Sequence, residues 1–126
     1  MSELGISAFD ADGLHVLPQL DADGLRLRMS GSATSYRPDG LRGYLKTVHA
    51  EGLRLAVQEV AVDMTELEFM NSAGFSTLID WLVALQEESE EKRYKVRFIS
   101  SKEHQWQRRS LNALKCLAVD LVTVEL

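Results

Sequence analysis

Cysteine is nearly absent: Cys116 is the only one in 126 residues, so no internal disulfide can form and nothing points to an oxidising compartment. Proline is scarce too, at two, and no apolar run approaches the roughly 18 residues that a membrane-spanning helix needs. The opening MSELGISAFD lacks both the basic start and the apolar stretch of a signal peptide. Basic residues are outnumbered, 14 Lys and Arg against 19 Asp and Glu, and the formal charge of −5 argues against a protein that coats nucleic acid. These absences lead to the expectation of a soluble, cytoplasmic protein with no nucleic-acid and no membrane partner. What is present agrees with that. Hydrophobic residues make up 45% and charged residues 26%, enough to bury a core and too apolar for general disorder. The length fits one domain over residues 1–126, with residues 1–12 expected as a loosely ordered extension.

The charge is unevenly placed. Between Lys92 and Lys115 stand eight basic residues and one acidic one, Glu103, a balance of +7. The remainder holds six basic and eighteen acidic residues, a balance of −12, which sums back to −5. Either this is a solvated face on a helix and its neighbouring strand, or it is a docking face for an acidic partner.

Asp-Ala-Asp-Gly occurs twice, at Asp10–Gly13 and Asp21–Gly24. Neither copy continues into the spread of oxygen ligands, ending in a bidentate Glu, that a calcium loop requires. Both read as turns. Leu14–Leu20 contains Pro18, which cannot donate to a ladder, and is placed as an edge strand. Leu25–Met29 alternates apolar and basic residues, the pattern of a half-buried strand, and the two together read as a hairpin.

A helical stripe of Leu41, Tyr44, Leu45 and Val48 runs from Pro38 to about Glu51, with Gly52 placed just after the end. Val57–Met64 follows as a Val-rich strand covered on both sides, and Asp63–Met70 as a loop returning to the core. A second helix runs from Ser72 or Ala73 to Glu88, with Phe75, Leu78, Ile79, Leu82 and Leu85 inward and Trp81 on the flank. Lys95–Ser100 alternates as a strand, and Ser100 and Glu103 form a capping box for a third helix with Trp106, Ala113, Leu114 and Leu117 inward. Asp120–Leu126 closes the chain as a strand. The order β-β-α-β-α-β-α-β predicts an α/β domain with a mixed four- to five-stranded sheet and amphipathic helices packed on it.

No catalytic set assembles, and no metal or cofactor is expected. Met70-Asn71-Ser72-Ala73-Gly74 has Met where a nucleophile elbow needs its first glycine. His15, His49 and His104 lie on separate elements without metal-ligand spacing, and no glycine-rich phosphate loop exists. Cys116, between Lys115 and Leu117, reads as a buried, inert thiol. The junction from Asp63 to Gly74 remains. There Asn71 or Ser72 caps a helix, and a serine so placed presents its hydroxyl beside free backbone N–H groups and the positive end of the helix dipole. Ser72 is either a cap alone or a phosphate acceptor.

The run from Val60 to Leu78, with Asp63-Met64-Thr65 and then Asn71-Ser72-Ala73-Gly74, resembles the STAS domain of anti-sigma-factor antagonists and sulfate-transporter tails. In that family a hydrophobic strand and Asp-Leu-Ser/Thr lead to Asp-Ser-Ser/Ala-Gly at a helix start. Met29-Ser30-Gly31 is similar to the family's strand-ending Leu-Ser-Gly, and Ile99-Ser100-Ser101 with its following helix to the last strand–helix–strand unit. The resemblance spans roughly Leu14 to Leu126 and implies a single-domain STAS-like fold.

It also implies a non-enzymatic mechanism. In the antagonist branch, the serine of this motif is phosphorylated by a partner that is both serine kinase, with a histidine-kinase-type ATPase domain, and anti-sigma factor. The dephosphorylated form binds that partner, and a PP2C-type phosphatase resets it. Carried over, the acceptor is Ser72, with Asn71, Gly74, Ser76 and Thr77 lining the junction and Trp81 added as an interface candidate. Asn71 stands where the family has an acid, and Ala73 where it often has a second serine. A phosphorylation-independent scaffold or adaptor, and a small-ligand or nucleotide sensor, stay open as alternatives, and a weak homodimer is allowed.

Overall fold

The structure, a computed structural model, describes residues 5–11, 13–22 and 24–125. Six strands form one sheet whose spatial order follows the chain: β1 (Phe9–Ala11), β2 (Leu14–Leu20), β3 (Gly24–Ala33), β4 (Glu59–Met70), β5 (Lys95–Ile99) and β6 (Val122–Glu125). β1, β2 and β3 pair antiparallel, and β3 to β6 pair parallel. The parallel strands are joined by α1 (Asp39–Arg54), α2 (Ser72–Glu87) and α3 (Gln105–Leu117). The α/β class, the mixed sheet and the three helices agree with expectation. The strand count does not. Phe9–Ala11, placed in a loose extension, adds a sixth strand because the Phe9 ring packs on Tyr44 with centroids 5.3 Å apart. β2 is therefore an edge only beyond Val16, where β1 ends and Pro18 needs no ladder partner.

Register explains the two faces. Leu25, Val60, Val96 and Val122 align across four strands, as do Leu27, Val62, Phe98 and Val124, and this face joins the helices in one core. The alternate residues face solvent as an ion-pair ladder. Arg26 meets Asp63 at 2.9 Å, and Arg97 meets Glu59 at 3.0 Å and Glu125 at 2.6 Å. Val60–Met64 is thus buried throughout, as foreseen, and on its second face Ala61 lies in register between Arg26 and Arg97. The Asp21–Gly24 turn closes with the Gly24 N–H donating to Asp21 Oδ1 at 3.0 Å, while Asp12 and Asp23 of the two turn motifs, like residues 1–4, lie outside the described residues.

The segment read as a loop is strand. β4 continues to Met70 because β3 follows it to Ala33, with two register shifts that give β4 extra residues. Gly31 makes this possible. Its φ is +84°, and a Cβ there would lie 2.1 Å from the Gly13 carbonyl oxygen, so only glycine fits. β5 stops opposite Asp63, leaving the far side of β4 without a strand. α3 takes that place: Gln107 Nε2 donates to the carbonyls of Met64 at 2.7 Å and Leu67 at 2.8 Å, and Trp106 Nε1 to that of Glu68 at 2.9 Å.

Helix boundaries and facings differ in places. Pro38 is the N-cap of α1, and Gly52 lies inside it, beside the Tyr94 ring. The predicted box at Ser100 does not form: α3 begins at Gln105 after His104, and Ser100 Oγ donates to the Glu125 carbonyl instead. Gln107, Leu111 and Leu114 are the buried residues of α3, so Ala113 and Leu117 turn outward and Trp106 is half-buried. Cys116 is exposed, contrary to expectation, because it lies opposite that face. Among the described residues no helix is long and apolar enough to cross a membrane.

Candidate functional site

β4 delivers the chain to Asn71, and α2 starts one residue later. Asn71 takes an extended backbone and its Oδ1 accepts the Gly74 N–H at 2.8 Å, an N-cap as anticipated. The amide nitrogen of the same side chain, Nδ2, donates to the Ser35 carbonyl at 3.1 Å and ties the helix start to the loop before α1. The Asn71 N–H donates to the Ala33 carbonyl at 2.9 Å, extending the β3–β4 ladder to the first turn. Ser35 had no signal in the sequence, since only the fold brings it to Asn71.

Gly74 is buried against β4. A Cβ there would sit 2.7 Å from Met70 Cγ, so glycine lets helix and strand approach closely. Thr77 is buried behind it, its hydroxyl donating to the Gly74 carbonyl at 2.6 Å. These two small residues rotate the helix. Trp81, placed on the flank by hydrophobic periodicity, lies on the buried face at 3% exposure, and Ile79, placed inward, is exposed. Trp81 Nε1 donates to the Tyr94 hydroxyl at 2.7 Å. Gly74, Thr77 and Trp81 are thus buried behind the junction, with Gly74 also lining a crevice beside Asn71.

The surface itself is formed by Ser72, Ser76 and the half-buried Asn71 and Ala73. Ser72 is exposed, and its hydroxyl makes no hydrogen bond among the described residues. The Phe75 N–H goes to the Asn71 carbonyl, so the amides of Ser72 and Ala73 are the unsatisfied ones of the first turn. Ser76 is engaged: its hydroxyl donates to the Ala73 carbonyl at 2.6 Å and receives Arg42 Nη2 at 3.4 Å. Arg42 is itself held by Asp80 and Asp39, at 3.0 and 3.2 Å. On one flank lie Phe69, Phe75 and Trp106, with Trp106 6.3 Å from Phe69 and 6.1 Å from Phe75 between ring centroids. On the other lies an apolar crevice of about 50 Å³ lined by Phe9, Leu14, Leu41 and Arg37 among others.

Upstream, Asp63 is a structural carboxylate. Its Oδ1 accepts the Thr65 hydroxyl at 2.7 Å and the Thr65 N–H at 3.0 Å, and its Oδ2 accepts from Arg26. Burial raises its pKa, but the Thr65 bonds and the Arg26 guanidinium outweigh that and hold it below the ordinary carboxylate range. No group of His, Cys, Asp and Glu among the described residues is arranged to hold a metal.

An anti-sigma factor antagonist from Mycobacterium paratuberculosis superposes on this chain with a TM-score of 0.65 at 14% identity, covering 92% of this chain and 88% of its own. The fold is the STAS fold. An antisigma-factor antagonist STAS domain from Rhodobacter sphaeroides is also similar, at 17% identity and a TM-score of 0.43 over 68% of this chain and 84% of its own. No protein-family model matches the sequence, and no curated protein matches it. The STAS-like architecture accounts for the position of the junction, at the end of a long central strand where a helix begins.

Proposed function

We propose that this chain is a non-enzymatic cytoplasmic regulatory domain that binds an anti-sigma factor through the surface around Ser72. In this reading the partner is a serine kinase with a histidine-kinase-type ATPase domain, phosphorylation of Ser72 releases it, and a PP2C-type phosphatase restores binding. One observation carries the proposal: the Ser72 hydroxyl is exposed and unbonded at the first position of α2, while its polar neighbours are already engaged. A phosphate adds about −1.5 to −2 charge at pH 7 and would break no internal bond there. Two free amides and the helix dipole lower its cost to the fold. The same charge pressed into a partner surface would be desolvated without compensation. Binding is switched while the fold persists.

A second reading, a phosphorylation-independent adaptor, is favoured by Asn71. It replaces the family's acidic residue, and its amide is committed to Ser35. One experiment separates the two. The tagged protein is captured from its native host, and the mass of the Ser72 peptide and the co-purifying proteins are determined. Phosphate on Ser72, with the kinase recovered only by the unmodified form and lost by Ser72→Asp at unchanged melting temperature, supports the switch. Equal recovery by wild type, Ser72→Ala and Ser72→Asp, with no phosphate found, leaves the adaptor.

A further inference from the structure

Three of the eight basic residues between Lys92 and Lys115 come together at the start of α3. Lys102, Arg108 and Arg109 line one open hollow of about 770 Å³ together with Ser101, Gln105 and Asn112. No acidic side chain lines it. Arg26, Arg28, Arg42, Arg54 and Arg97 all meet carboxylates. Lys102, Arg108 and Arg109 meet none among the described residues. α3 contains no Asp or Glu at all. Three uncompensated cations around amide and hydroxyl groups form a receptor for carboxylates, to which Arg can bond through two parallel N–H groups.

The neighbouring side of α3 settles what kind of anion fits. Trp106, Ala113 and Leu117 follow one another at helical spacing, with Trp106 half-exposed, Ala113 exposed and Leu117 44% exposed. Just past the helix, Val119 is 63% exposed. A free nucleotide would leave this apolar row uncovered. A nucleic acid or an anionic membrane would extend beyond the hollow and meet the rest of the chain, which carries −12. Three cations are also few for phosphate-backbone binding, whose strength grows with each phosphate neutralised. An acidic amphipathic protein segment matches both parts, carboxylates on the cations and apolar side chains on the row.

We propose that α3 docks an acidic amphipathic helix of a partner protein, in the hollow of Lys102, Arg108 and Arg109 and along Trp106, Ala113 and Leu117. The charged hollow does not include Ser72, and the apolar row meets the aromatic flank of the Ser72 junction at Trp106. α3 is about 20 Å long, room for a helical segment of similar length. Attraction between the two charged faces steers the encounter, and the apolar row slows dissociation.

The test uses the full chain and a fluorescein-labelled peptide of about four helical turns carrying Glu on one face and Leu on the other, read by anisotropy. The expected result is saturable binding that weakens roughly tenfold for the Glu→Gln peptide, roughly tenfold for Arg108→Glu with Arg109→Glu, and about threefold for Leu117→Ser. All the substituted residues are exposed, and an unchanged circular dichroism spectrum confirms that each variant is folded. Absence of peptide binding, or binding indifferent to all these changes, overturns the proposal. So does tighter binding of an oligothymidine of equal length, or of phosphatidylglycerol vesicles, than of the peptide.

Discussion

The side-chain amide of Gln107 donates to the main-chain carbonyl of Met64 at 2.7 Å, on the side of β4 that β5 leaves open. The same nitrogen serves Leu67 at 2.8 Å, and Gln107 Oε1 accepts the Ser101 N–H at 2.9 Å. The side chain is fully buried. Gln107→Leu keeps similar volume and removes all three bonds, leaving buried carbonyls unpaired at about 1–3 kcal/mol each if water cannot reach them. The expected outcome is a loss of roughly 3 kcal/mol in urea unfolding at unchanged slope. A loss under about 0.5 kcal/mol would mean that water or a shifted strand replaces the amide.

A second buried arrangement favours one placement of its protons, the one in which every donor has an acceptor. Trp81 Nε1 can only donate, so the Tyr94 oxygen accepts it at 2.7 Å. The Tyr94 hydroxyl proton then goes to His49 Nδ1 at 2.7 Å, which leaves the His49 proton on Nε2, facing Glu88 Oε2 at 3.2 Å. Burial pushes the Tyr94 phenol well above its ordinary range, so it stays protonated at every physiological pH. Tyr94→Phe leaves the Trp81 N–H and His49 Nδ1 without partners and should cost about 2 kcal/mol. Nitrogen chemical shifts of His49 should report the Nε2–H tautomer in the wild type, and a predominance of the other tautomer would contradict the proton order.

Much of this was legible in the sequence, and several of the failures share one cause. Hydrophobic patterning marked the elements from Leu14 onward, by alternation at Leu25–Met29 and Lys95–Ser100, by helical spacing in the first two helices and by valine content at Val57–Met64. It failed where polar or small residues do the packing. Thr65–Met70 carries Thr65, Glu66 and Glu68 and looks like a loop, yet α3 side chains and β3 hold it as strand. Gly74 and Thr77 carry little hydrophobic weight, yet they face the core of α2 and bring Trp81 in with them. Ser72 could be singled out because the motif is local in sequence. Ser35 and Arg42 were not, since they reach the junction only through the fold.

Asp63 gives the fold a defined acid sensitivity. Its folded pKa lies below the unfolded value of about 3.9, so its contribution is fully present above that value and is lost as pH falls through the folded one. Stability measured by urea unfolding should decline as pH drops below about 4. Asp63→Asn, which keeps the shape and removes the charge, should be destabilised by about 1–3 kcal/mol at pH 7 and show a shallower decline below pH 4. Parallel pH profiles for the two proteins would place the acid sensitivity on other carboxylates.

Asn71 tests why an amide occupies a position that is acidic in the family the sequence resembles. The side chain accepts from Gly74 N–H at 2.8 Å and donates to the Ser35 carbonyl at 3.1 Å, and a carboxylate can do only the first. Asn71→Ala loses both and should cost about 1 kcal/mol, the usual value of an N-cap, with a further contribution from the freed loop. Asn71→Asp keeps the cap and gains the helix dipole, worth about 0.3–1 kcal/mol, but sets a negative charge against the Ser35 carbonyl. The two effects should nearly cancel in stability and show instead as faster hydrogen exchange at Tyr36 and Arg37, the loop residues after Ser35. Denaturation midpoints with amide exchange on both variants would check this. If Asn71→Asp exchanges like wild type, the Ser35 bond does not hold the loop.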